Sequence, residues 1–320
     1  MISVIIPVRN GETVIVLCLD SLFSQIERPD EIIVVDNGST DETALFVKQW
    51  ALSHPEIPLR LLTEEKIGPS AARNRGASAV KGDILVFLDA DCEAPSDWIQ
   101  RIQKEISGGT DAVGGPYVAH GASLTIERYA SLSWFSPSKS ELCESPFSSR
   151  FLLGGNMALS RKAWESVKGF DESLRTAEDL EISFRIKAKG MALRSLPGLA
   201  VTHRVQSSLP KRLSRALRHG MVQAKIVKDH FGKLAVEPVG FLKCLGGIVL
   251  LGWLSPFLGG ALFFLLGLLW EWKAMRRLAA SGISVSMKDL LSVPCNWALS
   301  RLAMEAGRLI GSVRYGVFCW

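Results

Sequence analysis

Short apolar runs alternate with longer amphipathic segments from the start of the chain to about Leu199. The runs predict strands, and the longer segments, with their mixed apolar and polar positions, predict helices. Strands that alternate with helices of this length are typical of an open α/β sheet with right-handed crossovers. The predicted strands are SVIIPV, EIIVVD, LRLLT and ILVFLD, and the predicted helices cover 14–25, 41–53 and 70–80. We therefore expect an α/β fold with a mostly parallel sheet and flanking helices.

A less regular segment, 114–150, interrupts this pattern and is either a loop over a site or a connector. After it, FLLGGNMALSRKAWESVKGFDE predicts a further strand and helix. The segment EDLEISFRIKAKG predicts an amphipathic helix that stops at Gly190, because Lys187, Lys189 and this glycine favour a helix end. The run LPGLAV predicts a last strand just before His203.

The most apolar part of the chain comes later. Residues 244–270 contain no charged side chain over 27 positions, which is long enough to cross the hydrocarbon core of a bilayer. A buried helix of a soluble protein can also lack charge, but 27 residues exceeds the usual globular helix. Pro256, with glycines on either side, permits a re-entrant hairpin, and basic residues on both flanks favour a hairpin with both ends in the cytoplasm.

Basic residues surround this apolar segment. Residues 203–240 hold eight lysines and arginines against two acids, and Arg301, Arg308 and Arg314 recur about every seven positions in 290–318. That spacing puts the three arginines on one side and predicts an interfacial helix. The expected organisation is a catalytic domain over 1–205, a basic amphipathic connector over 206–240, a transmembrane helix or re-entrant hairpin over 241–272 and a membrane-interface helix over 273–320.

Composition adds bounds to this picture. The 320 residues are 48% hydrophobic, which is ample for a full core, and the mean hydropathy of +0.20 is unusual for a purely soluble enzyme. The six cysteines form no C-x-x-C pair, which argues against a disulfide framework and a zinc site. The first thirty residues lack the pattern of a secretory signal, so the amino-terminal part is expected to stay in the cytoplasm. Nothing in the sequence indicates a nucleic-acid partner or an oligomeric state.

Acidic residues follow two of the predicted buried strands. Asp36 ends EIIVVD, and Asp89 and Asp91 follow ILVFL, at the sheet edge where such folds bind ligands. Two acids at positions i and i+2 of an extended segment point the same way and repel each other unless a cation lies beside them. A divalent metal that carries a phosphorylated ligand is the natural candidate. Taken alone, the pair is more simply explained as a cap for the helix that begins near Pro95.

Taken together and in this order, the motifs resemble those of family 2 glycosyltransferases of the GT-A fold. The matching pieces are Pro7 to Asn10, VVDNGSTDET, GPSAARNRG, FLDADC, GGNMALSRKAWESVKGFDE and EDLEISFRIKAKG, within about the first two hundred residues. Each piece alone is weak, and their joint order is specific. The resemblance implies an inverting transfer of a sugar from a nucleotide-diphosphate sugar, with Asp36 on the nucleoside and Asp89-Ala90-Asp91 as the Mg²⁺ or Mn²⁺ motif.

Several further roles follow from this resemblance. Asp179 is expected to be the general base with Glu178 bracing it, although an acidic first turn also complements a helix dipole. His203 is either a third metal ligand beside Asp91 and Asp89 or a structural histidine. The candidate donor contacts are Pro7, Val8, Arg9, Asp36, Arg73, Asn74, Asp89, Ala90 and Asp91. Glycines permit close approach of the backbone, so the candidate contacts to the sugar or acceptor are Gly154, Gly155 and Asn156.

A single sugar transfer is expected, because the Q-x-x-R-W motif of processive synthases is replaced by VQSSLPKRLSRALRHG. The leading hypothesis is a metal-dependent glycosyltransferase on the cytoplasmic membrane. Its catalytic domain would face the cytoplasm and act on a lipid-linked or glycan acceptor presented at the membrane. The alternative is a non-catalytic nucleotide-binding GT-A module that serves as a membrane-bound scaffold. A nucleotidyltransferase ranks lower, because PVRNGE lacks a glycine-rich basic loop.

Overall fold

The computed structural model describes residues 1–119, 151–204, 208–232, 234–235 and 287–319. The described residues fall into two compact units. The first contains 1–119 and 151–204, and the second contains the remaining ranges.

The first unit contains a seven-stranded sheet and a small three-stranded sheet. In chain order the strands are β1 (Ile2–Val8), β2 (Glu31–Asp36), β3 (Leu59–Thr63), β4 (Ile84–Leu88), β5 (Cys92–Glu93), β6 (Ala112–Gly114), β7 (Tyr117–Ala119), β8 (Asn156–Ser160), β9 (Leu193–Ser195) and β10 (Val201–His203). The strand order is β3-β2-β1-β4-β8-β6-β9 in the large sheet and β5-β10-β7 in the small sheet. Strands β3, β2, β1 and β4 are parallel, whereas β8 is antiparallel to both β4 and β6. The expected α/β architecture with a mostly parallel sheet is confirmed.

Helices cover both faces of this sheet, which explains why β1, β2 and β4 are almost continuously apolar. The helices of the first unit are α1 (Ile15–Phe23), α2 (Thr43–Ser53), α3 (Pro69–Ala79), α4 (Trp98–Ser107), α5 (Arg161–Val167) and α6 (Glu178–Ala188), with a 3₁₀ turn at Pro197–Leu199. The predicted helices lie within one or two residues of α1, α2 and α3. Helix α6 ends just before Gly190, whose φ of +72° is the left-handed conformation expected of a carboxyl-terminal stop.

The small sheet determines where His203 lies. Strand β10 pairs antiparallel with β5, and His203 stands opposite Cys92, the residue after Asp91. Strand β10 also pairs with β7, which contains Tyr117. The described part of the irregular segment therefore contributes Gly114 to β6 and residues 117–119 to β7, and 120–150 lie outside the described residues.

The second unit contains two packed helices, α7 (Leu209–His230) and α8 (Met287–Tyr315), with the short strands β11 (Leu234–Ala235) and β12 (Phe318–Cys319). The helices approach closely at glycines. A Cβ at Gly220 would overlap the carbonyl oxygen of Met304, and one at Gly307 would overlap that of Leu217.

The interface of these two helices also buries an arginine. The side chain of Arg308 is 1% exposed; its Nε donates to Gln223 Oε1 at 2.7 Å, and its Nη1 donates to Glu305 Oε1 at 3.0 Å. The expectation that Arg301, Arg308 and Arg314 share one interfacial side is therefore wrong for Arg308. Its charge is compensated inside the helix pair, which is how a buried arginine is accommodated.

Within the described residues, no helix combines the length and the apolar composition that a bilayer crossing requires. The predicted transmembrane helix or hairpin, 241–272, lies outside the described residues.

Candidate active site

The predicted donor acids meet at one edge of the central sheet. Val8 pairs with Asp36 at the ends of the parallel strands β1 and β2, and Asp89 directly follows β4, the other neighbour of β1. Pro7 is half-buried and Arg9 is exposed at the end of β1. The side chains of Val8 and Ala90 belong to the hydrophobic core. The expected donor contacts of these two residues stay predictions, and we expect any such contact to be made by the backbone.

The turn after β2 is organised by a buried amide. Asn37 donates from Nδ2 to the carbonyl oxygens of Glu64 and Lys66, both at 2.9 Å, and its Oδ1 accepts from the N–H of Gly68 at 2.7 Å. Asp36 accepts from the N–H of Ser39 at 2.9 Å. Through these hydrogen bonds, the amide of Asn37 connects the turn that follows Asp36 to the loop that precedes α3.

Asp91 and His203 form the best candidate for a metal site in the described part of the chain. His203 Nε2 lies 3.2 Å from Asp91 Oδ2, and the ligand atoms of Asp91, Cys92 and His203 all lie within 4.8 Å of one another. The Asp91 side chain is 40% exposed, whereas Cys92 is buried. A carboxylate and an imidazole suit Mn²⁺, and the open side of Asp91 leaves room for phosphate oxygens. These residues fit the divalent metal that the resemblance implies.

Asp89 lies outside that group and is held by other residues. Its Oδ1 accepts from Arg73 Nη2 at 2.7 Å, and its Oδ2 accepts from the hydroxyl of Tyr117 at 3.3 Å. Both carboxylate oxygens therefore already have protein partners. Their geometry favours a supporting role for Asp89 over direct metal coordination.

Tyr117 is a site residue that sequence reasoning missed. Its hydroxyl accepts from the N–H of Gly155 at 3.1 Å in addition to its contact with Asp89. Its ring stacks on His203, with 4.6 Å between the ring centres and 10° between the planes. A single tyrosine in an irregular segment carries no periodic signal, and only the pairing of β7 with β10 brings it to the site.

The two glycines before β8 lie against charged side chains of the site. A Cβ at Gly155 would overlap the carboxylate of Asp89, and one at Gly154 would lie 3.1 Å from the guanidinium of Arg73. Glycine is therefore required at 155 by the close approach of the backbone to an acid of the site.

Asn156 has a structural position. It is 1% exposed, its Oδ1 accepts from Trp98 Nε1 at 3.1 Å, and its Nδ2 donates to the carbonyl oxygen of Leu199 at 2.7 Å. The amide is used by protein groups on both sides. A buried amide with these partners favours a structural role for the side chain of Asn156, and its expected contact with the sugar or acceptor stays a prediction.

Asn74 and Arg73 are likewise turned toward protein groups. The amide of Asn74 bonds both the N–H and the carbonyl oxygen of Phe170, at 2.8 and 2.9 Å, and donates to Glu172 at 2.9 Å. Arg73 is 3% exposed and pairs with Asp89 and Glu178. Their polar groups contact protein partners in this structure, and their expected role in holding the donor stays a prediction.

The Glu178–Asp179 pair begins α6. Asp179 Oδ2 accepts from the N–H of Gly154 at 3.1 Å, and Glu178 Oε1 accepts from Arg73 Nη1 at 2.7 Å. Ala177, just before the pair, has a φ of +56°, a left-handed conformation that is uncommon for a residue with a Cβ. Desolvation first, and then the neighbouring carboxylate of Glu178, raise the pKa of Asp179 to about 7. That value suits a general base that works near neutral pH.

The sequence is similar to those of known glycosyltransferases. Residues 3–167 match the model of glycosyl transferase family 2. The chain is 38% identical over 137 residues to glycosyltransferase AglE of Haloferax volcanii, a match that covers 41% of this chain and 45% of that protein. It is 27% identical over 265 residues to a dolichyl N-acetyl-α-D-glucosaminyl phosphate 3-β-D-2,3-diacetamido-2,3-dideoxy-β-D-glucuronosyltransferase of Methanococcus voltae, covering 78% of this chain and 82% of that protein.

A solved structure shares the fold. The mannosyltransferase PcManGT of Pyrobaculum calidifontis, in complex with GDP-Man and Mn²⁺, superposes with a TM-score of 0.60 at 23% identity and covers 97% of this chain and 86% of that one. The family model spans more than half of the chain, including the strand-end acids and the glycines before β8. The chain therefore belongs to glycosyl transferase family 2.

Proposed function

We propose that this protein transfers one sugar, with inversion, from a nucleotide-diphosphate sugar to a hydroxyl of an acceptor. The observation that carries the proposal is the proximity of two sets of acids. Through Arg73, Asp89 at the donor edge lies one guanidinium away from Glu178, the neighbour of Asp179. A donor site and a base in one place are what an inverting displacement requires.

Each side chain has a role in this proposal. Asp36 accepts hydrogen bonds from the nucleoside, and Asp91 and His203 would hold a divalent cation. Such a cation would supply positive charge that stabilises the leaving diphosphate. Asp179 takes the proton of the acceptor hydroxyl, and the N–H of Gly154 fixes the carboxylate for that transfer.

A lipid-linked acceptor is the preferred class. The support comes from the relative in Methanococcus voltae, whose name states a dolichyl-linked sugar phosphate as the acceptor. A second relative, from Photorhabdus laumondii, is named as an undecaprenyl-phosphate 4-deoxy-4-formamido-L-arabinose transferase. It is 33% identical over 116 residues, a match that covers 35% of this chain and 36% of that protein. The nucleotide base and the sugar are open, since substrates that differ by one hydroxyl are separated by individual polar contacts.

Contact with the cytoplasmic membrane is part of the same proposal. In the stretch of α8 from 299 to 315, five of the six exposed residues are apolar and the sixth is Arg314. The five are Leu299, Leu302, Leu309, Ile310 and Val313. A helix with an apolar exposed face and a basic residue suits the interface of a bilayer. Such a contact would keep the enzyme near a lipid-linked acceptor.

The test is turnover of a sugar nucleotide. Protein purified in detergent is incubated with Mn²⁺ and a panel of nucleotide sugars, with and without a polyprenyl-phosphate-linked sugar acceptor. We expect one donor to be consumed faster when the acceptor is present, and Asp179→Asn to lose about 10² to 10⁴ of that rate. Calorimetry with the nucleotide diphosphates runs in parallel. Tight binding without turnover of any donor would favour the non-catalytic scaffold and contradict the proposal.

A further inference from the structure

Arg73 lies between Asp89 and Glu178, two acids of the candidate active site. Its side chain is 4% exposed, its Nη2 lies 2.7 Å from Asp89 Oδ1, and its Nη1 lies 2.7 Å from Glu178 Oε1. One acid follows β4 and the other begins α6. We call this Asp89–Arg73–Glu178 arrangement the acid bridge.

The guanidinium of Arg73 is buried among protein groups. It lies 5.4 Å from the ring centre of Phe170, and Gly154 approaches it from another side. Its buried Nε has no hydrogen-bond partner among the described residues. An unsatisfied buried donor costs stability, so packing alone is a poor reason for an arginine here.

The acid bridge reduces the electrostatic repulsion between neighbouring carboxylates. Glu178, Asp179 and Asp89 are concentrated in one region, and uncompensated carboxylates that lie close together repel each other or become protonated. The charge-assisted contacts of Arg73 hold two of the three acids. They also anchor the turn that contains Ala177 in its left-handed conformation and that presents Asp179.

We propose that Arg73 is a positioning residue for sugar transfer, which fixes the Glu178–Asp179 turn against Asp89 without touching donor or acceptor. The inference rests on the proposed function. It assigns Arg73 to the geometry of the base and removes it from the donor-binding set.

The charges around Asp179 give this role a measurable signature. Glu178 raises the pKa of Asp179, whereas Arg73 and the N–H groups of Gly154 and Leu180 lower it. Removing the guanidinium deletes a favourable charge and leaves Glu178 uncompensated. Both changes favour the neutral form of Asp179, so the ionised base should appear only at higher pH.

The experiment compares Arg73→Met, Arg73→Lys and the control Arg75→Met in the full-length protein. Arg75 lies on the same helix and is exposed. For Arg73→Met we expect a fall in kcat of at least about 10²-fold, with little change in the Kd of the nucleotide diphosphate measured with Mn²⁺. We also expect the acidic limb of the pH–kcat profile to move upward by about one unit or more. Arg73→Lys keeps the charge and should show a smaller pH shift, and Arg75→Met should match the wild type.

The possible outcomes differ in what they overturn. A loss of nucleotide affinity as large as the loss of kcat would make Arg73 a donor-binding residue and overturn the inference. An unmoved pH limb in Arg73→Met would also overturn it. If the methionine variant does not fold, Arg73→Lys decides, because a lysine cannot make both contacts of the guanidinium, and a wild-type kcat in that variant would overturn the inference. A wild-type protein that turns over no sugar nucleotide would remove the proposed function and this inference together, whereas an active wild type with a normal Arg73→Met removes the inference alone.

Discussion

Asp91 and His203 are the two residues whose contact defines the candidate metal site. Substituting Asp91→Asn or His203→Ala removes one of the ligands that lie 3.2 Å apart. We expect either change to raise the Mn²⁺ concentration needed for half-maximal rate at least about tenfold, because each ligand contributes to metal affinity. The measurement is a Mn²⁺ titration of donor turnover.

The control for this prediction is Asp83→Asn. Asp83 precedes β4, at the opposite end of the strand from Asp89, and its side chain is 80% exposed. Its loss should leave the metal dependence unchanged. An Asp91→Asn enzyme with a normal Mn²⁺ titration would contradict the assignment of the ligand.

The pKa of Asp179 predicts a pH dependence. A base must be ionised to accept a proton, and the pKa of Asp179 is raised to about 7. The rate should therefore rise with pH and level off above about pH 7. Glu178→Gln removes the neighbouring negative charge that raises this pKa, so the limb should move to lower pH. The check is kcat/KM for the donor–acceptor pair between about pH 5 and 9, and a limb that stays in place in Glu178→Gln would exclude Asp179 as the group that titrates.

Candidate site residues could be predicted from the sequence where they stand at the ends of predicted strands. Asp36, Asp89 and Asp91 stand after buried apolar runs, and an acid in that position is conspicuous. The contacts of Arg73 and Asn156 could not be predicted, because the sequence around a helical arginine or an asparagine after two glycines does not indicate whether the side chain points inward or outward. Their roles depend on partners far away in the chain, Glu178 for Arg73 and Trp98 for Asn156.

At the scale of elements, the contact between α7 and α8 allows helix propensity to be compared with packing as a determinant of the free energy of unfolding. Gly307→Ala at an exposed helix position would stabilise the helix by up to about 1 kcal/mol. Here the new methyl group would overlap the carbonyl of Leu217. We therefore expect the opposite sign, a destabilisation of about 1–3 kcal/mol from overpacking.

The measurement is denaturant unfolding followed by circular dichroism. Ala303→Ser, at a half-exposed position of the same helix, is the control and should change the free energy of unfolding by less than about 0.5 kcal/mol. A stabilised Gly307→Ala protein would show that the close helix contact does not exist in solution.

The helices and strands of the first unit were predictable because each one has a strong periodic signal. The apolar runs that became β1, β2 and β4 are buried on both faces, and such strands are distinctive. The burial of Arg308 was not predictable from its spacing of seven. That spacing determines the side of the helix on which an arginine lies. It gives no information about neighbouring helices, and in the structure α7 covers Arg308, which donates to Gln223.

For the whole molecule, the proposed membrane contact through α8 gives a measurable prediction. Val313 is 88% exposed, and Val313→Glu would place a charge on the apolar face. We expect this change to lower the fraction of protein that floats with vesicles containing anionic lipid, because both apolar burial and charge attraction weaken.

A matched control exists in the first unit. Leu52 is 83% exposed at the end of α2, so Leu52→Glu makes the same kind of change on another surface. Its flotation should equal that of the wild type. Equal flotation of Val313→Glu and the wild type would argue against this helix face as the contact.

The pairing of α7 with α8 also bears on how the protein can be shortened for crystallisation. A chain that ends before Met287 lacks α8, and apolar side chains of α7 such as Ala224, which is buried and lies against Gly311 of α8, would lose cover. Exposed apolar side chains of this kind promote aggregation. Replacing the charge-free stretch 244–270 with a flexible linker would keep both helices, and it is the more promising route to a shortened enzyme.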